Sequence, residues 1–404
     1  MEVFTRCFLE MAGIFSTTAS HSVKTPSTER ALIAALRERL QAQPENRSGR
    51  HGSVRLGIGD DCAILRVPRG HEVLLTTDMS LETMHFRRDW HSPESVGHRC
   101  LARGLSDLAA MGARPLAAFL SLALPPELTV SQRGRPTWRD RFLSGLLTLA
   151  QHHAVLLAGG DTAQSPARPG IRADNIRFDS TGLVMADIVL VGSAPRQRAL
   201  LRSTAKTGDR IYVTGHLGGA AAELAALAAH PRRFAKAIFA SGVSPTPHPH
   251  LFPQPRLAVG QFLLARRLAT AAIDLSDGLS TDLDHLCEES GLGAVIDAAC
   301  LPMHPLLGAL GTMPLAAMED RLHLALHGGE DYELLFTASP KTRLPRRIAG
   351  IPITCIGEMQ SLPRNVSGSR TGGIQSRIQL LVAKDSISRR ISLRPAGWEH
   401  YRSR

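Results

Sequence analysis

Six aspartates stand at the ends of short apolar runs, each within two residues of Gly, Ser or Thr: Asp61, Asp78, Asp107, Asp161, Asp274 and Asp277. This recurrence constrains the fold more than any other feature. A strand or helix that delivers a carboxylate to its end must bring it where a counter-ion compensates the lost water. Convergent carboxylates are the usual oxygen ligands of Mg2+. The pattern points to metal-assisted phosphate chemistry on alternating strands and helices.

Taken singly, each motif reads as a turn in which glycine supplies positive φ and aspartate bonds its own backbone. Six together ask for a shared purpose, and binding a nucleotide's phosphates through several divalent ions supplies one. The chain has no Gly-x-x-x-x-Gly-Lys-Ser/Thr loop, no kinase His-Arg-Asp triplet and no Gly-x-Gly-x-x-Gly. A triphosphate would therefore be neutralised by carboxylate-held metal rather than by a lysine and a nest of amides.

At 404 residues the chain is too long for one ordinary core. We expect a mixed α/β (α+β) architecture with an N-terminal domain over 27–204 and a C-terminal domain over 205–404, preceded by a disordered leader over 1–26. No apolar run approaches the ~20 residues of a membrane span. The cysteines (7, 62, 100, 287, 300, 355) include no C-x-x-C pair, which favours free thiols in a cytosolic setting. Of the net charge of +11, the segment from Lys341 onward holds +10, while the rest is nearly neutral. With little aromatic interleaving and no recognition motif, the basic tail reads as a solvated face and not as a nucleic-acid surface.

Periodicity predicts a helix over 29–41 capped by Ser27 or Thr28, a strand over 73–77 delivering Asp78 at its end, and a helix begun by Ser92-Pro93-Glu94. That helix holds Asp107 and is closed by Gly112. Further strands are expected at 117–124, 154–157, 183–191, 210–214, 294–297 and 332–337, and helices at 139–151, 257–271 and 281–290. Residues 165–180 read as a surface insertion.

The ordered motifs Gly-Ile-Gly-Asp-Asp-Cys-Ala (57–63), Thr-Thr-Asp (76–78), His-Phe (85–86), Leu-Ser-Asp-Leu-Ala-Ala-Met-Gly-Ala (105–113), Gly-Gly-Asp-Thr (159–162), Arg-Ser-x-Ala-Lys-x-Gly-Asp (202–209), Ala-Ile-Asp-Leu-Ser-Asp-Gly-Leu (272–279) and Gly-Gly-Glu-Asp-Tyr-Glu-Leu (328–334) resemble the thiamine-monophosphate kinase family. The resemblance runs collinearly over about 55–360. It implies a two-domain enzyme that dimerises through its N-terminal sheet and transfers the ATP γ-phosphoryl group directly to thiamine monophosphate, with no phosphoenzyme and no protein acid or base. It further implies that Asp61, Thr76, Thr77, Asp78, Asp107, Asp161, Asp274 and Asp277 hold several Mg2+ ions, that Gly160, Arg202 and Ser276 contact ATP, and that His85 and Glu330 face thiamine monophosphate. The alternative is a related ATP-dependent synthetase acting on another small phosphate acceptor. One departure stands out: Pro395 occupies the position of a family tryptophan, with Trp398 three residues on.

Overall fold

The computed structural model describes residues 36–38, 53–131, 134–165, 182–229, 248–309, 318–362, 376–384 and 387–398. The expected leader, residues 166–180 of the expected insertion, and all but 36–38 of the 29–41 helix lie outside the described residues; 36–38 are helical.

The N-terminal half is a four-stranded sheet covered on one face by helices. Strands β3 (His71–Leu81), β6 (Met185–Pro195), β4 (Arg114–Leu124) and β5 (Leu157–Gln164) lie in that order. All pairings are antiparallel except β4 with β5. A short ribbon of β1 (Val54–Leu56) and β2 (Ile64–Leu65) precedes it. Helix α1 (Pro93–Ala110) starts where the Ser92 hydroxyl accepts the Ser95 N–H and Pro93 needs no partner of its own. It stops where Gly112 takes φ 67°. Its Leu101, Leu105 and Leu108 are buried with Phe142 and Leu146 of α2 (Trp138–His152) and Leu120 and Ile188 of the sheet. Each such side chain contributes about 1.5–3 kcal/mol.

The C-terminal half is an eight-stranded sheet built on the path β14 (Ile387–Leu393), β13 (Ile378–Lys384), β9 (Gly293–Asp297), β12 (Ile351–Gln360), β7 (Arg210–Thr214), β10 (Leu334–Ala338), β8 (Ala271–Asp274), with β11 (Arg347–Ile348) on β12. Helices α3 (Gly219–Ala229), α4 (Leu257–Arg266), α5 (Leu279–Ser290), α6 (Leu306–Ala309) and α7 (Met318–His327) accompany it. The two halves share one apolar cluster, in which Leu257 and Leu263 of α4 and Leu334 and Phe336 of β10 join the residues around α1. Part of the basic tail is paired: Arg377 reaches Asp284 (3.2 Å) and Glu288 (3.0 Å) on α5.

Several boundaries differ from expectation. Strand β3 continues through Leu81 because all eleven residues pair with β6, so Asp78 lies inside a strand and not at its end. Asp161 likewise lies within β5. The helix expected over 257–271 ends at Arg266, where Arg267 turns left-handed (φ 54°) and frees 271–274 to pair as β8. The strand expected from Tyr332 begins at Leu334, since Tyr332 itself has φ 50°.

Glycines set how closely α1 and α2 approach. A Cβ on Gly97 would fall 1.9 Å from the Phe142 carbonyl oxygen, and one on Gly145 would fall 1.9 Å from that of Glu94. Because backbone cannot swing aside as a side chain does, Gly145→Val should destabilise the fold by about 2–3 kcal/mol in chemical denaturation. His98, on the same helix, donates from Nε2 to the Pro253 carbonyl at 2.7 Å. Burial, outweighing that bond and joined by the Arg99 charge, pushes its pKa down to about 4. The native state then refuses a proton that the unfolded chain accepts, so stability falls as pH drops from about 6.5 towards 4. His98→Gln keeps a donor without the titration. Between pH 7 and 5 it should remove about 2 kcal/mol of the pH-dependent loss, read from paired denaturation curves.

Candidate active site

A cavity of about 620 Å3 opens between the two halves. Asp78 from β3, Asp107 from α1, Asp274 at the end of β8, and Ser276 and Asp277 in the loop before α5 line it together with His85, Arg103, Glu330 and Trp398. The inward-facing residues of β3 place Thr76 and Asp78 against α1, where the Thr76 hydroxyl donates to Asp107 Oδ2. Ser106, one residue before, donates to Asp274 Oδ2 at 2.7 Å. A single helical turn of α1 thus links carboxylates of both halves.

The electrostatics are those of crowded acids. Asp78 is raised to about 6 by burial, opposed by Arg103 at 3.4 Å and reinforced by Asp107. Burial and the neighbouring Asp107 charge raise Asp274 to about 7, against the Ser106 bond and Arg202. Asp107 is raised too, by burial, with Thr76, Arg202 and Arg103 opposing. Two arginines do not neutralise four carboxylates. The donors offered by Asp78, Asp107, Asp274, Asp277 and the Thr76 hydroxyl are all oxygen, the type hard divalent cations take, and positive charge there would reverse the upward shifts; Asp277 also stands close enough to Asp282 and His285 to share an ion with them.

Packed against the Asp274–Asp277 segment of this acidic wall is the Gly328–Glu333 loop, whose Glu330 and Tyr332 amides bond the Ser276 and Leu275 carbonyls at 2.8 and 2.9 Å. Its glycines lack room for a side chain: a Cβ on Gly329 would sit 2.7 Å from the Ser276 carbonyl oxygen. Three acids diverge from it. Glu330 faces the cavity, Asp331 accepts the Gly218 and Ala220 amides at 2.7 and 3.1 Å, and Glu333 takes Arg256 (2.5 Å) and Thr214 (2.6 Å). His85 accepts the Leu81 amide through Nδ1 (3.0 Å), so a neutral ring carries its proton on Nε2.

Other residues expected in the site sit elsewhere. Asp61, Gly160 and Asp161 line a second cavity of about 680 Å3 beside β5, with Asp60, Cys62 and Phe119. The transverse row Asp78, Ile188, Leu120, Gly160 separates the two by three strand spacings, about 14 Å. Asp61 and Asp161 are exposed. Thr77, next to Thr76 on a pleated strand, is exposed on the outer face of the sheet. Arg202 is exposed in a 3-10 turn (Arg202–Thr204), yet its charge bears on Asp107 and Asp274.

The cavity is also lined by residues to which motif reading gave no role, Arg103, Trp90, His250 and Tyr332, and Arg99 pairs with Glu330 behind it. Arg99 and Arg103 carried a usable signal, for with Asp107 they recur every four residues and so share a helix face. His250 carried none, lying in a Pro/His stretch without period. Trp398 lines the cavity, its amide bonded to the Asp277 carbonyl at 3.1 Å, while Pro395 stands where the family tryptophan would be.

The profile of the AIR synthase related protein, N-terminal domain, matches residues 59–184. The thiamine-monophosphate kinase of Escherichia coli strain K12 is 39% identical over 310 residues, spanning 76% of this chain and 84% of its own. Among solved structures, thiamine-monophosphate kinase from Stenotrophomonas maltophilia K279a is 31% identical with a TM-score of 0.61, covering 83% of this chain and 94% of that one. The solved complex of AaThiL with AMPPCP and TMP has a TM-score of 0.62 over 96% of this chain and all (100%) of its own; at 24% identity this likeness is one of fold.

Proposed function

Since the chain belongs to the thiamine-monophosphate kinase family, we propose that it transfers the γ-phosphoryl group of ATP to the phosphate of thiamine monophosphate, yielding thiamine diphosphate with Mg2+ bound. One observation carries the reading: carboxylates from both halves, Asp78, Asp107, Asp274 and Asp277, line one cavity together with His85 and Glu330.

Two anionic phosphates must approach in line, and at ~4 Å and an effective dielectric of ~20 each unit-charge repulsion costs about 4 kcal/mol. Bound Mg2+ supplies the neutralisation that lowers this barrier. Asp78, Asp107, Asp274 and Asp277, with the Thr76 hydroxyl, would hold it. Ser276 and Arg202 would orient the nucleotide, Arg202 through planar donors suited to phosphate oxygens. Glu330 and His85 would bind the thiamine part, and Trp398 would wall it. Asp61 and Asp161 would hold metal, and Gly160 would contact the nucleotide, from the second cavity, while Thr77, on the outer face of β3 beside Asp78, would reach metal only from that face. No acid or base of the protein is needed, because catalysis here is positioning and charge neutralisation.

A homodimer formed on the outer face of the N-terminal sheet completes the reading. Val73, Leu75 and Met79 of β3 and Met185 of β6 are exposed there, which favours a covered apolar surface. Cytosolic residence is part of it as well. Among the described helices none is long and apolar enough to cross a membrane.

The purified chain should convert thiamine monophosphate and ATP to thiamine diphosphate and ADP only with Mg2+. Asp78→Ala and Asp277→Ala should each lower kcat by about two to three orders of magnitude in a coupled ADP assay. Turnover at the parent rate in both would remove the metal assignment. Leu75→Asp should shift the chain from dimer to monomer in light scattering.

A further inference from the structure

Behind Glu330 stands a buried set of groups that the transfer reaction itself does not use. Arg99 Nη2 lies 2.5 Å from Glu330 Oε1, and His250 Nδ1 lies 3.1 Å from Oε2. His250 Nε2 in turn is 2.9 Å from His91 Nε2, and His91 Nδ1 is 3.2 Å from the Arg87 amide. His250 is 1% exposed and His91 and Arg99 4% each, so no bulk water substitutes for these partners.

Hydrogen-bond direction along this chain follows from the carboxylate. An ionised carboxylate only accepts. His250 Nδ1 is buried with no well-aligned hydrogen bond among the described residues, and at 3.1 Å from the Glu330 carboxylate only its protonated form is complementary. A neutral His250 then offers Nε2 as an acceptor, and His91 must donate from its own Nε2. The remaining nitrogen of His91 then accepts the Arg87 N–H at 3.2 Å; the Arg87 carbonyl oxygen, 3.1 Å from the same nitrogen, already takes the His91 amide at 2.8 Å. Both rings are kept neutral by burial and by the Arg99 charge, with His91 pushed down to about 3 and His250 also lowered. Burial pushes the Glu330 carboxyl up, but Arg99 and then His250 outweigh it and hold the group well below the usual carboxylate range. Protons therefore point one way, from the Arg87 amide to Glu330.

The backbone makes such support necessary. Glu330 has φ 67°, a conformation that costs a non-glycine residue of order 1 kcal/mol or more, and it is pinned by its amide to the Ser276 carbonyl at 2.8 Å. Its side chain reaches the cavity with a quarter of its surface exposed. Each carboxylate oxygen spends one lone pair on Arg99 or His250 and keeps another for a ligand.

We propose that Arg99, His250 and His91 are positioning residues that hold Glu330 as an ionised, singly oriented acceptor for the aminopyrimidine–thiazolium part of thiamine monophosphate. This rests on the reading of function above. The network touches Glu330 and not the acidic wall, so it governs recognition of the phosphate acceptor and leaves ATP to the metal-facing side.

Steady-state kinetics on the full chain with Mg2+ test it, with both substrates varied and thiamine monophosphate binding measured by calorimetry beside a non-hydrolysable ATP analogue. His250→Leu and His91→Phe should each raise KM for thiamine monophosphate about tenfold or more, with KM for ATP and kcat changed less than about twofold. His250→Asn returns an N–H near the Nδ1 position, and His91→Gln returns one near Nε2; each should recover most of the loss. The paired His91 variants repeat the comparison one ring farther from the substrate should His250→Leu fail to fold. Unchanged KM in the apolar variants, or a parallel loss in both KM values and kcat without recovery in the amide variants, would overturn the positioning role. A parent chain that turns over no thiamine monophosphate would instead remove the underlying reading of function.

Discussion

Helix α1 is tightly bound on two sides, and the geometry of the site depends on that confinement. Gly97 and Gly145 let it approach α2 until backbone meets backbone, while a Cβ on Gly260 of α4 would fall 1.9 Å from the Ala109 carbonyl oxygen. Its apolar face is sealed by Leu101, Leu105 and Leu108. With translation and rotation of the helix removed, Arg99, Arg103 and Asp107 are delivered along one line at four-residue intervals to Glu330, Asp78 and Thr76. The cost of ordering these long charged side chains is met by packing that the site itself does not supply.

That arrangement gives the cavity two regions of different electrostatic character. On one, carboxylates outnumber cations and raise one another's pKa, a state that a bound divalent cation would stabilise. On the other, Glu330 is matched by Arg99 and a neutral histidine pair, so its charge is satisfied before any ligand arrives. Metal and nucleotide suit the first side and a cationic heterocycle the second. The divergent acids of the Gly328–Glu333 loop extend the same economy: one faces the ligand, one caps α3, and one pairs with Arg256.

Much of this was legible in the chain. The start of α1 at Ser92-Pro93 followed from local capping chemistry, the end of α5 at Ser290 matches the helix expected over 281–290, and Asp107 was correctly set within a helix. Boundaries went astray where pairing overrode local preference. Strand β3 outran its apolar run because β6 offered partners to the end, and α4 stopped early because 271–274 were taken up by β10. The resemblance assigned thirteen residues without regard to distance, and the fold divided them: Asp61, Gly160 and Asp161 lie about three strands from Asp78.

The sequence by itself determined the acidic set, the glycines that bracket it, the mixed α/β class and the family, since these depend on residue identity and short-range spacing. Only the tertiary structure decided which carboxylates share a cavity, that Thr76 faces inward while Thr77 faces out, and that His91, His250 and Arg99 stand behind Glu330. These are facts of strand register and of contacts as far as 231 positions apart in the chain. The physical reason is that a pleat alternates sides at every residue and burial pairs whatever groups packing brings together, and neither leaves a mark on local composition.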